Sequence, residues 1–268
     1  MNDIKILGSD FDGTLCRDGE ITQRDAEAIA DFQKAGNLFV LVTSRNFGEY
    51  LGVKKYGEVT YDYVSCCCGA CLFDRNEELV ADCSIGTEIL GELCGLILKN
   101  DPLYLWRAYR KRAIIATVGG YEDHRQYADG KPETNWKTEE EFVSFDLPFN
   151  QLSCAFGTEE HAAAVCDEIN RCFGDTVSAY AFYQTVDVVP AGCGKAFGLR
   201  KLAELYGVPE ENISAVGDGC NDLPMITAFN GYTVENGHLR VKAAAKKVFP
   251  DIASLIEFIE TETEKDGE

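Results

Sequence analysis

The chain has 268 residues, of which 46% are hydrophobic and 11% aromatic, and its formal net charge is -20. This composition favours a globular protein with a large core and room for an additional domain. The negative charge opposes association with nucleic acid or with an anionic membrane surface, so we expect neither partner.

We expect a cytoplasmic protein, because the sequence shows none of the signals that would direct the chain elsewhere. We find no basic and apolar leader of the secretory type, and no apolar run long enough to cross a bilayer. The 12 cysteines are irregularly spaced, unlike the framework of a small secreted domain, so we expect reduced thiols. Cys68 and Cys71 form a CxxC pattern without a second pair at zinc-site spacing, which favours small buried side chains over a metal site.

The first predicted strand, Ile4–Leu7, leads into Asp10-Phe11-Asp12-Gly13-Thr14-Leu15. Open α/β sheets bind their ligands where such strands end. Two aspartates separated by one residue have the chemistry for two tasks, one as nucleophile or metal ligand and the other as general acid and base. Asp and Gly also dominate ordinary turns, so the stretch alone leaves both interpretations open.

The next segments predict a strand–helix–strand unit. Residues 22–35 have the N-cap, apolar stripe and closing glycine of a helix. Leu38–Val42 is a continuous apolar run typical of a parallel strand buried on both faces. The right-handed connection expected of such a unit sets Thr43 beside Asp10 at one edge of the sheet.

The middle of the chain predicts a separate α/β module. A short strand at 63–67 and a hairpin at 70–73 and 78–80 precede it. From 84 to 183, helical patterns at 87–98 and 159–173 alternate with strand-like runs at 113–118, 152–156 and 176–182, with a polar stretch at 119–141.

The first module is then predicted to resume. Thr185–Val189 resembles one of its strands, and Lys195 begins a helix that ends at Gly207. Ile213–Val216 is a buried strand followed by Gly217-Asp218-Gly219-Cys220-Asn221-Asp222. We therefore predict an α/β fold with a Rossmann-like, doubly wound parallel sheet formed by 1–83 and 184–268, interrupted by an α/β module at 84–183.

This topology brings Asp10, Asp12, Asp218 and Asp222 to one edge of the sheet. So many carboxylates cannot all ionise close together without a compensating cation, and Mg²⁺ prefers such oxygen ligands. Each acid alone is more typical of a solvated loop, and a lysine such as Lys195 in a first helical turn usually points into solvent. A nucleotide-binding P-loop is excluded around Lys195, because its first glycine and its Ser or Thr are missing.

In their order and spacing, these motifs resemble those of the haloacid dehalogenase superfamily, specifically the Cof-like phosphatases that have an α/β cap domain between the second and third motifs. Asp10–Leu15 matches the first motif, Thr43 the second, Lys195 the third and 217–222 the acidic fourth. The resemblance covers nearly the whole chain. It implies that 84–183 is the cap domain and that the two flanking segments form the catalytic core.

The resemblance also implies the roles of individual residues. Asp10 would be the nucleophile that forms an aspartyl-phosphate, and Asp12 the general acid and base. The predicted catalytic set is Asp10, Asp12, Thr43 and Lys195. The predicted phosphate-binding set is Thr43, Ser44, Lys195 and Asn221. The predicted magnesium set is Asp10, Asp218, the backbone carbonyl of Asp12 and, in support, Asp222 together with Asn221.

The sequence departs from the family pattern at several positions. Ser44, Cys68 and Ala196 replace the usual glycine, asparagine and glycine, and none of these changes removes a reacting group. The segment Gly231–Gly237 is also atypical, which leaves the positioning role of Asn236 open.

The substrate implied by the resemblance is a small phosphorylated metabolite, such as a sugar phosphate, and its leaving group is expected to contact the cap. The polar and aromatic candidates are Trp106, Arg107, Arg110, Lys111, His124, Arg125, Lys131, Asn135 and Trp136. A sugar-phosphate phosphomutase and a non-catalytic binding protein on the same scaffold are the alternatives. We expect a monomer or a small homo-oligomer.

Overall fold

The computed structural model describes residues 4–116, 118 and 134–266, and shows a mixed α/β fold. The strands are β1 (Ile6–Asp10), β2 (Leu38–Val42), β3 (Tyr63–Cys66), β4 (Cys71–Asp74), β5 (Leu79–Asp82), β6 (Tyr104–Tyr109), β7 (Arg112–Ala116), β8 (Thr134–Lys137), β9 (Gln151–Ala155), β10 (Val177–Phe182), β11 (Thr185–Pro190), β12 (Ile213–Val216), β13 (Asn230–Val234) and β14 (Lys247–Phe249). The helices are α1 (Gln23–Lys34), α2 (Phe47–Tyr50), α3 (Leu90–Leu98), α4 (Glu139–Ser144), α5 (Glu159–Phe173), α6 (Ala196–Tyr206), α7 (Leu223–Ala228), α8 (Leu239–Ala244) and α9 (Ile252–Asp266).

The first sheet has the order β14-β13-β12-β1-β2-β3-β4-β5. All pairs from β14 to β3 are parallel, whereas β4 and β5 are antiparallel additions at one edge. The chain runs outward from β1 in one direction through β2 and β3, and in the other through β12, β13 and β14. The strand order therefore reverses between β1 and β12, which is where doubly wound sheets bind their ligands.

Helices cover both faces of this sheet, as a doubly wound fold requires. In β2, Phe39 and Leu41 pack in the cluster that contains α1 and α9, whereas Val40 and Val42 pack in the cluster that contains α6, α7 and α8. This double burial explains why β2 is apolar throughout. The predicted start of α1 is confirmed, because the Thr22 side chain accepts a hydrogen bond from the Asp25 backbone N–H.

The second sheet has the order β10-β11-β9-β6-β7-β8, and all its pairs are antiparallel except β7 with β8. Helices α3, α4 and α5 pack against one face and form a separate hydrophobic cluster with it. The opposite face is turned toward the carboxyl ends of β1 and β12, because several of its side chains share a cavity with Asp10 and Asp218.

The assignment of Thr185–Val189 to the first module is wrong. This segment is β11, which pairs along its length with β10 and with β9 in the second sheet. Its apolar residues resemble a buried core strand, but Val186 and Val188 pack in the hydrophobic cluster of the second sheet. The chain thus returns to the first module after Pro190, and the predicted limit of the inserted domain at 183 is too early.

Two further expectations concern the polar stretch 119–141 and the cysteines. The described part of the polar stretch 119–141 contains β8 and the start of α4, and residues 119–133 lie outside the described structure. The expectation of reduced thiols is wrong for Cys83 and Cys193, which form a disulfide although 110 positions separate them. Among the described residues, no helix combines the length and apolar character needed to cross a bilayer.

Candidate active site

Three carboxylates meet at the reversal point of the first sheet. Asp10 is the last residue of β1, and Asp218 and Asp222 follow β12. One carboxylate oxygen of each lies within 4.8 Å of the others. The parallel pairing of β1 with β12 brings the two loops together, so this cluster is a direct consequence of the topology. The predicted convergence of these three acids is therefore found in the structure.

Lys195 lies within the same cluster. Its ammonium donates hydrogen bonds to Asp10 Oδ1 at 2.7 Å and to Asp222 Oδ1 at 2.6 Å. The lysine is buried, so the alternative of a solvated lysine at a helix start is wrong. Burial alone would lower the pKa of Lys195, but Asp10 and Asp222 outweigh it and raise the pKa, so the amine is charged.

One ammonium does not balance three acids. Burial, and next the charge of Asp222, raise the pKa of Asp10 well above its usual value, while Lys195 opposes the change. Burial followed by Asp222 also raises the pKa of Asp218. Both shifts arise from burial together with the mutual repulsion of the carboxylates, and a divalent cation would relieve that repulsion.

The loop after β1 is fitted closely around Asp218. Thr14 donates its hydroxyl hydrogen to Asp218 Oδ1 at 2.8 Å. Gly13 has a φ of +86°, and a Cβ atom there would lie 2.6 Å from Asp218 Oδ2. Asn236, whose role the sequence left open, donates from Nδ2 to the Gly13 carbonyl at 2.7 Å. These contacts fix the path of the chain immediately after Asp12.

Asp12 lies apart from the three clustered acids. Both of its carboxylate oxygens accept hydrogen bonds from Arg45, at 2.9 Å from Nε and 2.6 Å from Nη2. The guanidinium also lies over the rings of Phe11 and Tyr56, at 5.1 and 5.8 Å from their centroids. The hydrogen bonds from Arg45 to Asp12 are the main cause of a raised pKa of Arg45.

The predicted phosphate-binding residues surround Asp10 to different degrees. Ser44 and Asn221 line the cavity above it, and the Asn221 amide donates to the Ser44 hydroxyl at 3.0 Å. Thr43 is buried; its hydroxyl oxygen accepts a hydrogen bond from the Arg45 backbone N–H at 3.1 Å, and the residue is not among those that line the cavity.

The site opens into a cavity of about 680 Å³ between the two sheets. Its floor comes from the loops of the first sheet, and its roof from the second sheet. The roof residues are Tyr104, Trp106, Ser153, Phe182, Thr185 and Asp187. Burial raises the pKa of Asp187, and hydrogen bonds from Ser153 and Cys68 partly oppose the change.

The cap residues that the sequence predicted as substrate contacts lie in different surroundings in the structure. Trp106 lines the cavity. Arg107 points to the other face of the sheet, where it donates to the carbonyls of Leu147 and Phe145. Arg110 pairs with Asp82, and Lys111 lies over the Phe47 ring. Two groups remain untested: His124, Arg125 and Lys131 lie outside the described residues, and the side chains of Asn135 and Trp136 are not described either.

Sequence reasoning missed Arg45 and Asp187. Arg45 directly follows the hydroxyl motif, and its position beside Asp12 depends on the parallel pairing of β1 with β2. Asp187 is the polar residue in an apolar run, which is a signal of a special environment. It was passed over because its strand was assigned to the first sheet.

Comparison with known proteins places the chain in a family. A family model for haloacid dehalogenase-like hydrolases matches residues 7–254. The predicted phosphatase YxeH of Bacillus subtilis is 25% identical over 233 residues, which are 83% of each chain. The 5-amino-6-(5-phospho-D-ribitylamino)uracil phosphatase YbjI of Escherichia coli is 33% identical over 91 residues, which are 33% of this chain and 34% of that protein.

The fold agrees with solved structures of this group. The subclass IIB sugar phosphatase BT4131 superposes with a TM-score of 0.78 at 20% identity, covering 96% of this chain and 99% of that one. The predicted doubly wound α/β fold is thereby confirmed. Because the family model spans most of the sequence, the protein is an enzyme of the haloacid dehalogenase-like hydrolase family.

Proposed function

We propose that the protein is a Mg²⁺-dependent phosphatase that hydrolyses small phosphomonoesters through an aspartyl-phosphate on Asp10. The observation that carries this proposal is the cluster of Asp10, Asp218 and Asp222 with the buried Lys195 ammonium, at the floor of a cavity large enough for a small metabolite. The family match supports the same reaction class.

The donor set fits Mg²⁺. The three acids offer carboxylate oxygens within 4.8 Å of one another, and their excess charge is unbalanced by Lys195 alone. Asp10 and Asp218 would hold the ion, together with the Asp12 carbonyl, and Asp222 would support them through its contacts with Lys195 and the Gly219 N–H. When bound, the ion would offset the repulsion between the Asp10 carboxylate and an anionic phosphoryl group.

The residues of the floor then have separate tasks in the proposed reaction. An Asp10 oxygen attacks phosphorus while the bond from phosphorus to the leaving oxygen breaks, which gives an aspartyl-phosphate. Lys195, the Ser44 backbone N–H and Asn221 stabilise charge on the phosphoryl oxygens. The Thr43 hydroxyl accepts a hydrogen bond from the Arg45 backbone N–H and can still donate its own hydrogen to a phosphoryl oxygen.

Asp12 is the proposed proton carrier. Protonated, it gives its proton to the departing alkoxide; ionised, it takes a proton from the water that cleaves the aspartyl-phosphate. In the present conformation both carboxylate oxygens accept hydrogen bonds from Arg45, which is the arrangement of the second step.

The relatives support a phosphomonoester substrate. YbjI and BT4131 are a phosphatase of a phosphorylated ribitylamino compound and a sugar phosphatase, respectively, and both names describe a phosphate group on a hydroxylated carbon chain. We propose the same general class of substrate for this chain. The second sheet, continued to Pro190, would act as the cap over the phosphate site.

Phosphate release from a panel of phosphomonoesters tests the proposal, measured with Mg²⁺ and with EDTA for the wild type and Asp10→Asn. We expect turnover that needs Mg²⁺ and is lost in the variant. Equal rates with EDTA, or full activity in Asp10→Asn, would contradict the proposal. Sugar-phosphate isomerisation in excess of phosphate release would instead favour the phosphomutase alternative.

A further inference from the structure

The roof of the cavity carries an ordered row of side chains. Trp106 of β6 lies directly opposite Ser153 of β9, and Ser153 lies directly opposite Asp187 of β11. Residues opposite one another in antiparallel strands point to the same face of the sheet. All three side chains line the cavity above Asp10, so an aromatic ring, a hydroxyl and a carboxylate face the leaving group together.

Asp187 is held firmly in this row. It is only 6% exposed, and its Oδ2 atom accepts a hydrogen bond from the Cys68 thiol at 3.4 Å. The Gln151 side-chain amide in turn donates to the sulfur of Cys68 at 3.5 Å. These contacts join the two modules, since Cys68 lies in the turn between β3 and β4 and Gln151 is the first residue of β9.

Asp187 has no salt bridge to any described residue. The cationic side chains that line the cavity are Arg45, Lys55 and Lys195, and all three come from the first module. Arg45 is paired with Asp12, Lys195 is paired with Asp10 and Asp222, and the Lys55 ammonium lies over the Tyr56 ring at 4.9 Å from its centroid. A buried carboxylate is costly unless hydrogen-bond donors surround it, and it repels an anion brought into the same cavity.

We propose that Asp187 selects the leaving group: it accepts hydrogen bonds from uncharged hydroxyls and disfavours phosphomonoesters whose leaving group carries a carboxylate or a second phosphate. This inference rests on the proposed phosphatase function and specifies that the preferred leaving group is uncharged. The described part of the roof offers hydroxyl groups from Tyr104, Ser153 and Thr185 for the same purpose, and no ammonium or guanidinium.

Trp106 adds the apolar part of the selection. Its ring is half-buried in the same row, two positions across the sheet from Asp187. A carbon chain that carries hydroxyl groups has C–H surfaces that pack against an aromatic ring, while its hydroxyls reach the carboxylate. The row therefore matches a hydroxylated leaving group better than a purely apolar or an anionic one.

Two substrate pairs test the inference, because each pair keeps the carbon skeleton and exchanges a terminal CH₂OH for a carboxylate: sorbitol 6-phosphate with 6-phosphogluconate, and glycerol 3-phosphate with 3-phosphoglycerate. We expect wild-type kcat/KM to favour the uncharged member of each pair by about tenfold or more, a ratio equivalent to about 1.4 kcal/mol. In Asp187→Asn the ratio should fall to about threefold or less, mainly through KM. The control Asp146→Asn removes an exposed acid outside the cavity and should leave the ratio unchanged.

The outcomes separate this inference from the function on which it rests. Equal or better use of the carboxylate substrates by the wild type overturns the role of Asp187, and so does an unchanged ratio in Asp187→Asn. The wild-type ratio decides the matter even if the variant does not fold. Failure to release phosphate from any of the four esters and from p-nitrophenyl phosphate would instead overturn the proposed phosphatase function.

Discussion

Arg45 binds both carboxylate oxygens of Asp12, with Nε and Nη2 at 2.9 and 2.6 Å from them. The two residues follow neighbouring strands, β1 and β2, and the guanidinium also lies over the rings of Phe11 and Tyr56. A bidentate pair fixes direction as well as distance. Arg45 therefore positions the proposed general acid and base without belonging to the magnesium set.

The first prediction concerns this pair. Arg45→Lys keeps the charge but loses the planar fork, so we expect kcat on a sugar phosphate to fall by about tenfold or more, because a misplaced Asp12 loses part of its proton-transfer advantage. Loss of activity on p-nitrophenyl phosphate should be smaller, since its leaving group needs little protonation. Arg24→Lys, at an exposed ion pair with Asp251, is the matched control. An Arg45→Ala variant with undiminished kcat would show that the pair has no positioning role.

The second prediction concerns Lys195. Lys195→Met removes the ammonium and leaves Asp10 and Asp222 buried without their shared partner. In EDTA we expect the free energy of unfolding to fall by about 3–5 kcal/mol, the usual effect of breaking a buried ion pair. Urea unfolding measures it.

Lys201→Met is the control for this variant, because Lys201 pairs with Glu204 on the surface, where such a pair contributes about 1 kcal/mol or less. Adding Mg²⁺ should return part of the stability lost in Lys195→Met, since the ion would compensate the same carboxylates. Equal losses in the two variants would contradict the proposed balance of charges.

The third prediction separates backbone strain from crowding at Gly13. Any other residue in place of Gly13 must adopt a backbone φ near +86° and also place its Cβ atom 2.6 Å from Asp218 Oδ2. Gly19 has a φ of +82° with nothing within 4 Å of such a Cβ, so Gly19→Ala isolates the left-handed backbone penalty of about 1–2 kcal/mol. We expect Gly13→Ala to lose activity at least about a hundredfold while Gly19→Ala keeps most of it. Comparable activity of the two variants would mean that the closeness of Gly13 to Asp218 is unimportant.

The fourth prediction concerns the disulfide between Cys83 and Cys193. Cys83 directly follows β5, where the chain leaves the first sheet, and Cys193 lies three residues after β11, where it returns. Linking residues 110 positions apart restricts the unfolded chain, which corresponds to about 4–5 kcal/mol in the loop-entropy account. We expect a reductant to lower the unfolding midpoint of the wild type but not of a Cys83→Ser, Cys193→Ser double variant. Peptide mapping without reductant that finds both thiols free would contradict the link.

The core fold was predictable because its signals are local. The apolar run of β2, the cap of α1 and the strand before Asp218 were each identified near their observed limits. The hydrolase family followed from four motifs in order, and the family model confirms it. Strands β13 and β14 were missed, because Asn230-Gly231 and a three-residue strand give weak local patterns.

The roof was harder to predict because it depends on strand register. Without β6 in the prediction, Trp106 and Arg107 were equivalent candidates, yet neighbouring residues in a strand point to opposite faces, and only Trp106 reaches the cavity. The role of Asp187 could not be predicted for a related reason, because long-range strand pairing decides the sheet to which β11 belongs. Sequence therefore identified the floor of the site, whereas the structure was needed for its roof.

The formation of an aspartyl-phosphate on Asp10 tests the central claim most directly. Wild-type enzyme mixed with Mg²⁺ and a turned-over phosphomonoester can be quenched in acid within milliseconds and digested, and the peptide that contains Asp10 examined by mass spectrometry. We predict a phosphoryl adduct on Asp10 that appears before free phosphate and is absent from Asp10→Asn. Rapid turnover without an adduct, in an enzyme that stays active after Asp10→Asn, would contradict the account.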